Sequence, residues 1–495
     1  MNRITSILKD MTVRLLRSLR RQTISPVVLK DETLQHLQIN YNSQRFYGPQ
    51  KYFCYAPFGS IFISYNGKAS PCYACKAEDS LLHKSMDEVW NGPVYEELRN
   101  QFKNGVIPDA CSFCRDHLMQ ENYGSILANK YDHYLLSASG NPVIAELELS
   151  NNCNLECVMC TGNLSSSIRK NRENLPPIQS QLPDDFLMQF VNYIPTLRSI
   201  ELTGGDPFLI DIYYKILQKV ETLNPKLDIL ITTNANTMTI RAVELLKKNL
   251  RLSFNVSIDS LEENNYALIR KNASLKTALN NINIFSDYTR KHNTSLGFLV
   301  CPLKYNWKEL PHFVGFANKY HATLSYHVVF KPAEHALWSY PQDTLKEIYS
   351  YLSSFTFTGN DFNSNINLHS YKALVTLIGS WHRKAILREQ KNKENEFEIQ
   401  KEIESARNKL KATLNDVELF NKIEGLIVNL NSLEIPELIY IILAQKTKPE
   451  LIEGLKQFTD EELISKLELY HKEIYSAYFY TLNMSDNDKY INNAL

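Results

Sequence analysis

The chain has no apolar run approaching the roughly 18 residues that a membrane-spanning helix needs. Its most notable apolar run, Leu438 to Ala444, suits a buried helix instead. Neither charge is in excess: 54 Lys and Arg balance 54 Asp and Glu, so no bulk field argues for nucleic acid as a partner. No internal repeat is apparent, and a stacked repeat array is not expected. The first 21 residues lack the uninterrupted apolar stretch of a secretory signal. They are instead basic and amphipathic. Arg3, Lys9, Arg14, Arg17, Arg20 and Arg21 face a single acid, Asp10, and Ile4, Ile7, Leu8, Met11, Leu15 and Leu19 recur at helical spacing. A solvated or self-docked terminal helix is expected there, within a basic amphipathic N-terminal segment at 1–48, with contact to a membrane surface or a partner as the second reading.

Cysteine, by contrast, is present and patterned. Eight of the nine cysteines fall in short, metal-type spacings, which argues for a reducing compartment, the cytoplasm, and against disulfides. Cys153, Cys157 and Cys160 form C-x3-C-x2-C directly after an apolar strand. Three thiolates can hold three irons of a four-iron cube and leave the fourth iron open. Closed cubes and structural zinc sites take four protein ligands, so a three-cysteine loop suggests a cluster that binds something else. A zinc loop completed by a distant residue is the alternative.

Further signals follow in order. Glu201-Leu202-Thr203-Gly204-Gly205-Asp206-Pro207-Phe208 carries glycines that let the backbone approach a ligand closely and a proline that ends the strand. Leu230 to Ala235 is an apolar strand running into Thr233 and Asn234. Phe254-Asn255-Val256-Ser257-Ile258-Asp259-Ser260 is followed by Tyr266 and Ile269-Arg270, and Leu299 to Asn306, with Cys301, is another strand-to-loop junction. Together with the cysteine loop these stretches resemble the radical S-adenosylmethionine (SAM) family. The resemblance implies a [4Fe-4S] cluster on Cys153, Cys157 and Cys160, whose open iron chelates SAM. It implies SAM contacts from Gly204, Gly205, Asp206, Pro207, Thr233, Asn234, Ser257, Asp259 and Arg270, with Asp206 toward the amino group. It also implies reductive cleavage of SAM to a 5′-deoxyadenosyl radical that abstracts hydrogen from a substrate.

Five cysteines precede this region. Cys54, Gly67, Cys72 and Cys75 flank an alternating segment, Ile61 to Tyr65, before Asn66-Gly67, which reads as a β-hairpin with a tight turn, and Cys111-Ser112-Phe113-Cys114 follows. The set resembles the twitch or SPASM auxiliary-cluster module, here ahead of the barrel where most relatives carry it behind. The resemblance implies a second, closed [4Fe-4S] cluster on Cys54, Cys72, Cys111 and Cys114, with Cys75 left over. A four-cysteine zinc knuckle is the alternative.

Strands near 143–149, 198–203, 227–233, 251–258, 295–300 and 323–330 alternate with helical spacing over 183–194, 208–223 and 238–249. The expected fold is α/β, with a partial (β/α)6 barrel at 141–331 whose motifs gather at the C-terminal strand ends. An auxiliary module at 49–118 and a linker helix at 119–140 should precede it, and a helical domain at 332–495 should follow. Within that last domain a charge-dense helix is expected from about Trp381 to Asn421, then helices at Ile435–Lys446, Pro449–Phe458 and Asp460–Leu482.

The expected activity is radical SAM chemistry (oxidation, epimerisation or crosslinking) on a small-molecule, carbohydrate or peptide substrate. The electron donor would be of the flavodoxin or ferredoxin type. A separate peptide-recognition domain would not fit in the roughly 50 residues before Cys54, which leans the substrate toward small molecules or carbohydrates. Cys301, at the end of the fifth strand, is a candidate hydrogen-atom donor; a buried core thiol is its simpler role. A non-catalytic iron–sulfur or zinc protein that senses redox state or scaffolds partners is the second class.

Overall fold

The computed structural model describes residues 19–20, 23–119, 121–134, 140–329, 332–430, 433, 436–446 and 454–483, with 388–400 and 473–483 described by backbone alone. The chain divides into two units, one taking residues to 329 with 350–377, the other 330–349 with residues from 378 onward.

The first unit is built on one sheet. Its N-terminal strands are β1 (Ser60–Ser64), β2 (Lys68–Ser70) and β3 (Asp79–Ser80). The barrel strands are β4 (Ile144–Glu148), β6 (Ser199–Leu202), β7 (Asp228–Thr233), β8 (Arg251–Ser257), β10 (Leu296–Val300) and β11 (Thr323–Tyr326). A separate two-stranded piece pairs β5 (Glu156–Cys157) with β9 (Arg270–Lys271). The large sheet runs β11-β10-β8-β7-β6-β4-β1-β2-β3. Its six barrel strands are all parallel, in chain order from β4. β10 is almost wholly apolar, whereas β8 alternates, burying Leu252, Phe254 and Val256 on one side. Crossover helices include Asp211–Leu223, Ile240–Leu246 and Leu275–His292. The last starts at Ser274, whose hydroxyl accepts from the Thr277 N–H, and ends on Asn293 in the left-handed region.

The auxiliary module does not stand apart from this sheet. β1 pairs in parallel with β4, matching Ser60 to Ile144 and Ser64 to Glu148, while β2 turns back antiparallel. The turn at Tyr65-Asn66-Gly67 places Gly67 at φ +71°, and a Cβ there would lie 2.6 Å from the Gln181 carbonyl oxygen. Only glycine suits that position.

The linker expected as a helix at 119–140 is, over its described part, two short 3₁₀ turns at Tyr123–Ser125 and Leu127–Tyr131. Asn122, Gly124 and Ser125 interrupt a helix locally. The Leu127 and Ala128 N–H groups donate to Cys114 instead of to helix carbonyls.

The second unit is helical. Its core gathers Leu410, Phe420, Ile423, Ile442 and Leu467 from the end of the helix Phe362–Leu414 and from Val417–Val428, Ile439–Lys446 and Asp460–Asn483, with Leu438 from the 3₁₀ turn Pro436–Leu438 and Leu455 from the helical stretch 454–457. The charge-dense stretch falls within the first two of these helices. Half of the expected helix at Pro449–Phe458 is described, and residues 454–457 are helical there; the basic N-terminal helix lies outside the described residues except for Leu19 and Arg20. Among the described residues no helix is long and apolar enough to cross a membrane.

Candidate active site

The cysteine loop leaves β4 at Glu148 and is held by three backbone ties. The Asp206 N–H donates to the Asn152 carbonyl at 2.8 Å, the Val158 N–H to Ile269 at 2.9 Å, and the Cys153 N–H to the Ser166 hydroxyl at 3.1 Å. Both glycines of the Gly204-Gly205 turn have positive φ, +79° and +44°. A Cβ on Gly204 would sit 2.6 Å from the Ser150 carbonyl oxygen, and one on Gly205 2.1 Å from that of Asn152. The glycines therefore let the turn lie directly against the cysteine loop, a close approach of backbone to backbone that the sequence pattern ascribes to a ligand.

Asp206 is fully buried, and its carboxylate accepts from Phe208 N–H at 3.1 Å, Thr233 Oγ1 at 2.8 Å and Asn234 N–H at 2.9 Å. The resemblance points this side chain at the SAM amino group. The fold turns it inward, where it fixes the end of β7. Pro207 does not only end a strand; it opens a 3₁₀ turn, Pro207–Leu209, capped by Asp206. Asn234 then reaches back, its Nδ2 at 3.9 Å from Cys153 Sγ and 3.1 Å from Asn154 Oδ1.

On the other side, β5–β9 pairing sets Cys157 opposite Arg270. One Arg270 nitrogen donates to Cys157 Sγ at 3.8 Å, and another forms an ion pair with Asp259 Oδ2 at 2.7 Å. Arg270 is 5% exposed and its Nε has no hydrogen-bond partner among the described residues. The other Asp259 oxygen accepts from the Cys301 N–H at 2.7 Å. Ser257 ends β8, half-buried, without a role in this network. Burial pushes the Cys157 thiol up to about 12 and that of Cys160 to about 11, so metal uptake must displace protons. The buried Arg270 cation beside them favours thiolates and an anionic cofactor. A three-cysteine loop, a neighbouring cation with an orphaned donor, and the Asn234 amide fit a cluster together with SAM.

Cys301 packs beside the loop, with Val158, Met159, Ile269 and Leu303. Burial holds its thiol well above the usual range.

The five N-terminal cysteines all line one opening of about 400 Å³, including its mouth, together with Tyr131, Phe102 and Leu127. Cys54, Cys72, Cys75 and Cys114 are buried and Cys111 is partly exposed. The Cys111 thiol donates to Cys75, which holds Cys111 up and Cys75 down. Cys75, left over in the sequence reading, thus belongs to the same space as the other four.

A polar chain links this space to the barrel. Tyr131, on its wall, donates to Glu146 of β4 at 2.5 Å. Lys130 bridges Glu146 at 2.8 Å and Glu201 of β6 at 2.6 Å.

The sequence reading passed over three further residues. Asn306 is fully buried and donates to the Asp259 carbonyl at 2.6 Å and that of Cys301 at 2.9 Å, bracing both. Its place in the Leu299–Asn306 junction was the available signal. Glu309 accepts from Ser260 and the Leu261 N–H, fixing the loop after β8. Glu148, half-buried at the end of β4, has its carboxyl raised to about 7 by burial.

Residues 147–317 match the model of the radical SAM superfamily, and residues 54–115 match that of an iron–sulfur cluster-binding domain, SPASM. The chain carries a radical SAM domain. Its cofactors are accordingly a SAM-binding [4Fe-4S] cluster, SAM itself and an auxiliary iron–sulfur cluster, and the auxiliary module lies N-terminal to the barrel. The GTP 3′,8-cyclase of Lactiplantibacillus plantarum is 22% identical over 47% of this chain and 70% of its own length. That of Campylobacter lari is 28% identical over 28% of this chain and 40% of its own. Among solved structures, Streptococcus suis SuiB bound to the precursor peptide SuiA aligns with TM-score 0.33 and 16% identity, over 53% of this chain and 51% of that one. The AdoMet-bound anSMEcpe aligns with TM-score 0.32 and 14% identity, over 42% and 60%. The chain spans about half the length of SuiB.

Proposed function

We propose that this chain is a radical SAM enzyme that cleaves SAM reductively and takes a hydrogen atom from a small-molecule, carbohydrate or peptide substrate. The observation that carries the reading is convergence: Arg270 and Asn234, from opposite sides, each reach a cysteine sulfur of the C-x3-C-x2-C loop. A loop kept only for structure needs no buried cation with a spare donor beside it. When bound, the cluster and SAM supply a one-electron cleavage that yields a carbon-centred radical able to abstract hydrogen. The chain's own residues position and shield. Cys153, Cys157 and Cys160 would hold the iron, Arg270 would meet anionic groups, and Asp259 and Asn306 keep Arg270 and Cys301 in register. Glu148, at the end of β4, would face the substrate. Cys301 keeps its hydrogen at neutral pH and would return it to a substrate radical. A flavodoxin- or ferredoxin-type donor would reduce the site.

The test is anaerobic incubation of reconstituted, dithionite-reduced protein with SAM, following 5′-deoxyadenosine. Wild type and Cys301→Ala should both form it, since a hydrogen donor acts after SAM is cleaved, and Cys157→Ala should form none. No product from fully loaded wild type would overturn the assignment, and loss of product in Cys301→Ala would make that thiol part of the scaffold.

A further inference from the structure

Parallel strands laid down in chain order and joined by crossovers of one hand carry their helices on one face of the sheet. Phe254 of β8 points to that face, where its ring packs on Phe285 and Tyr288 of the helix Leu275–His292. Side chains alternate along a strand, so Asn255 points to the opposite, inner face. The register carries that face across the sheet: Thr232, Asn255, Gly297 and Thr323 are successive partners on β7, β8, β10 and β11. Gly297 opens a gap in this row. A Cβ there would lie 2.5 Å from Asn255 Oδ1 and 2.9 Å from Thr323 Oγ1, so both side chains lean over it. Glycine within a strand marks a place of close approach. Thr232, Asn255 and Thr323 are half-buried, and none of their side chains hydrogen-bonds another described residue. Nor does that of Glu148, which lies on the same face two residues beyond Glu146.

One row nearer the strand N-termini the inner face is satisfied from within. Glu146 and Glu201 are register partners that share Lys130, and Glu146 also takes the Tyr131 hydroxyl. Arg251, the only Lys or Arg in the six strands, is paired with Asp228 at 2.8 Å. Both cations are thus committed to carboxylates, while Glu148 remains to meet whatever enters. A phosphate there would face a like charge with no free cation beside it. Hydroxyl and amine groups suit every member of the row, since a carboxylate accepts, an amide does both, and a threonine hydroxyl does both.

Resting on the radical SAM reading above, we propose that the substrate is a hydroxylated small molecule without phosphate or another anionic group, held on the inner barrel face by Glu148, Thr232, Asn255 and Thr323. Sugars and nucleosides are of this class; nucleotides and sugar phosphates are not.

The test uses a metabolite extract of cells grown in deuterium oxide. Ultrafiltration removes macromolecules, and anion exchange separates the flow-through from the bound polyanions. Each fraction is added to the reconstituted, dithionite-reduced full chain with unlabelled SAM in ordinary water, and the mass of 5′-deoxyadenosine is read. Deuterium should pass into 5′-deoxyadenosine from the flow-through. Asn255→Leu, of equal size, should keep its iron and melting temperature, while the ratio of labelled to unlabelled product falls at least tenfold. Thr232→Val serves in its place if that variant does not fold. Label from the bound fraction, from the macromolecules, or from no fraction would overturn the proposal, as would an unchanged ratio in the folded variant. No 5′-deoxyadenosine in any mixture would instead overturn the radical SAM reading itself, and this inference with it.

Discussion

Gly205→Ala is expected to abolish the barrel cluster while leaving the auxiliary iron in place. The residue sits at φ +44°, and a Cβ would lie 2.1 Å from the Asn152 carbonyl oxygen and 2.7 Å from the Asn152 nitrogen. These are backbone atoms, so no flexible side chain can move aside. The left-handed backbone alone costs an alanine roughly 1 kcal/mol, and the overlap must be relieved by displacing the loop. Asn152 directly precedes Cys153, so displacement moves the first ligand and breaks the Asp206 tie. The auxiliary opening shares none of these atoms. Iron per chain should fall by about half, from roughly eight to four, and 5′-deoxyadenosine should vanish. Full iron in a folded Gly205→Ala protein would show that the turn does not set the loop.

Removing either partner of the Asp259–Arg270 pair is expected to cost more stability than removing both. Both side chains are almost wholly buried, 0% and 6% exposed, so a lone survivor is an uncompensated charge away from water. Breaking such a pair typically costs about 3–5 kcal/mol, whereas replacing both by apolar groups of similar size is far milder. Asp259→Asn and Arg270→Met should each lower the melting temperature of the apo protein markedly, and the double variant should recover much of the loss. All three should fail to form 5′-deoxyadenosine, because Arg270 is the cation beside Cys157. Additive losses in the double variant would show that the two residues act independently. SAM cleavage in Arg270→Met would remove the residue from the site.

The barrel was legible because its strands leave a local record. Apolar residues recur through the strands, almost continuously in β10 and at every second position in β8, and all six expected segments contain an observed strand, from Ile144–Glu148 to Thr323–Tyr326. The last was expected four residues too long, since Val328 and Val329 prolong the apolar pattern without pairing. The C-terminal strand ends were legible for the same reason, and with them the neighbourhood of Asp259 and Arg270. The pairing of β1 with β4 left no such record. It joins segments far apart in sequence, and an alternating strand looks the same whether its neighbour is a hairpin partner or a barrel. The protein partners of Asp206 were hidden likewise: a carboxylate after two glycines reads as a ligand contact, and the fold adds three protein donors to it. Cys75 was left over because four ligands close a cube, and counting ligands says nothing about which sulfurs line one opening.

The account rests on SAM binding at an iron left open by Cys153, Cys157 and Cys160. Its most direct test is electron paramagnetic resonance of the reconstituted, dithionite-reduced full-length protein before and after SAM is added. One reduced four-iron signal should change shape and g values with SAM while the auxiliary signal stays fixed, and the Cys153/Cys157/Cys160→Ala protein should keep only the fixed signal. A fully loaded wild type whose spectrum is identical with and without SAM would contradict the account.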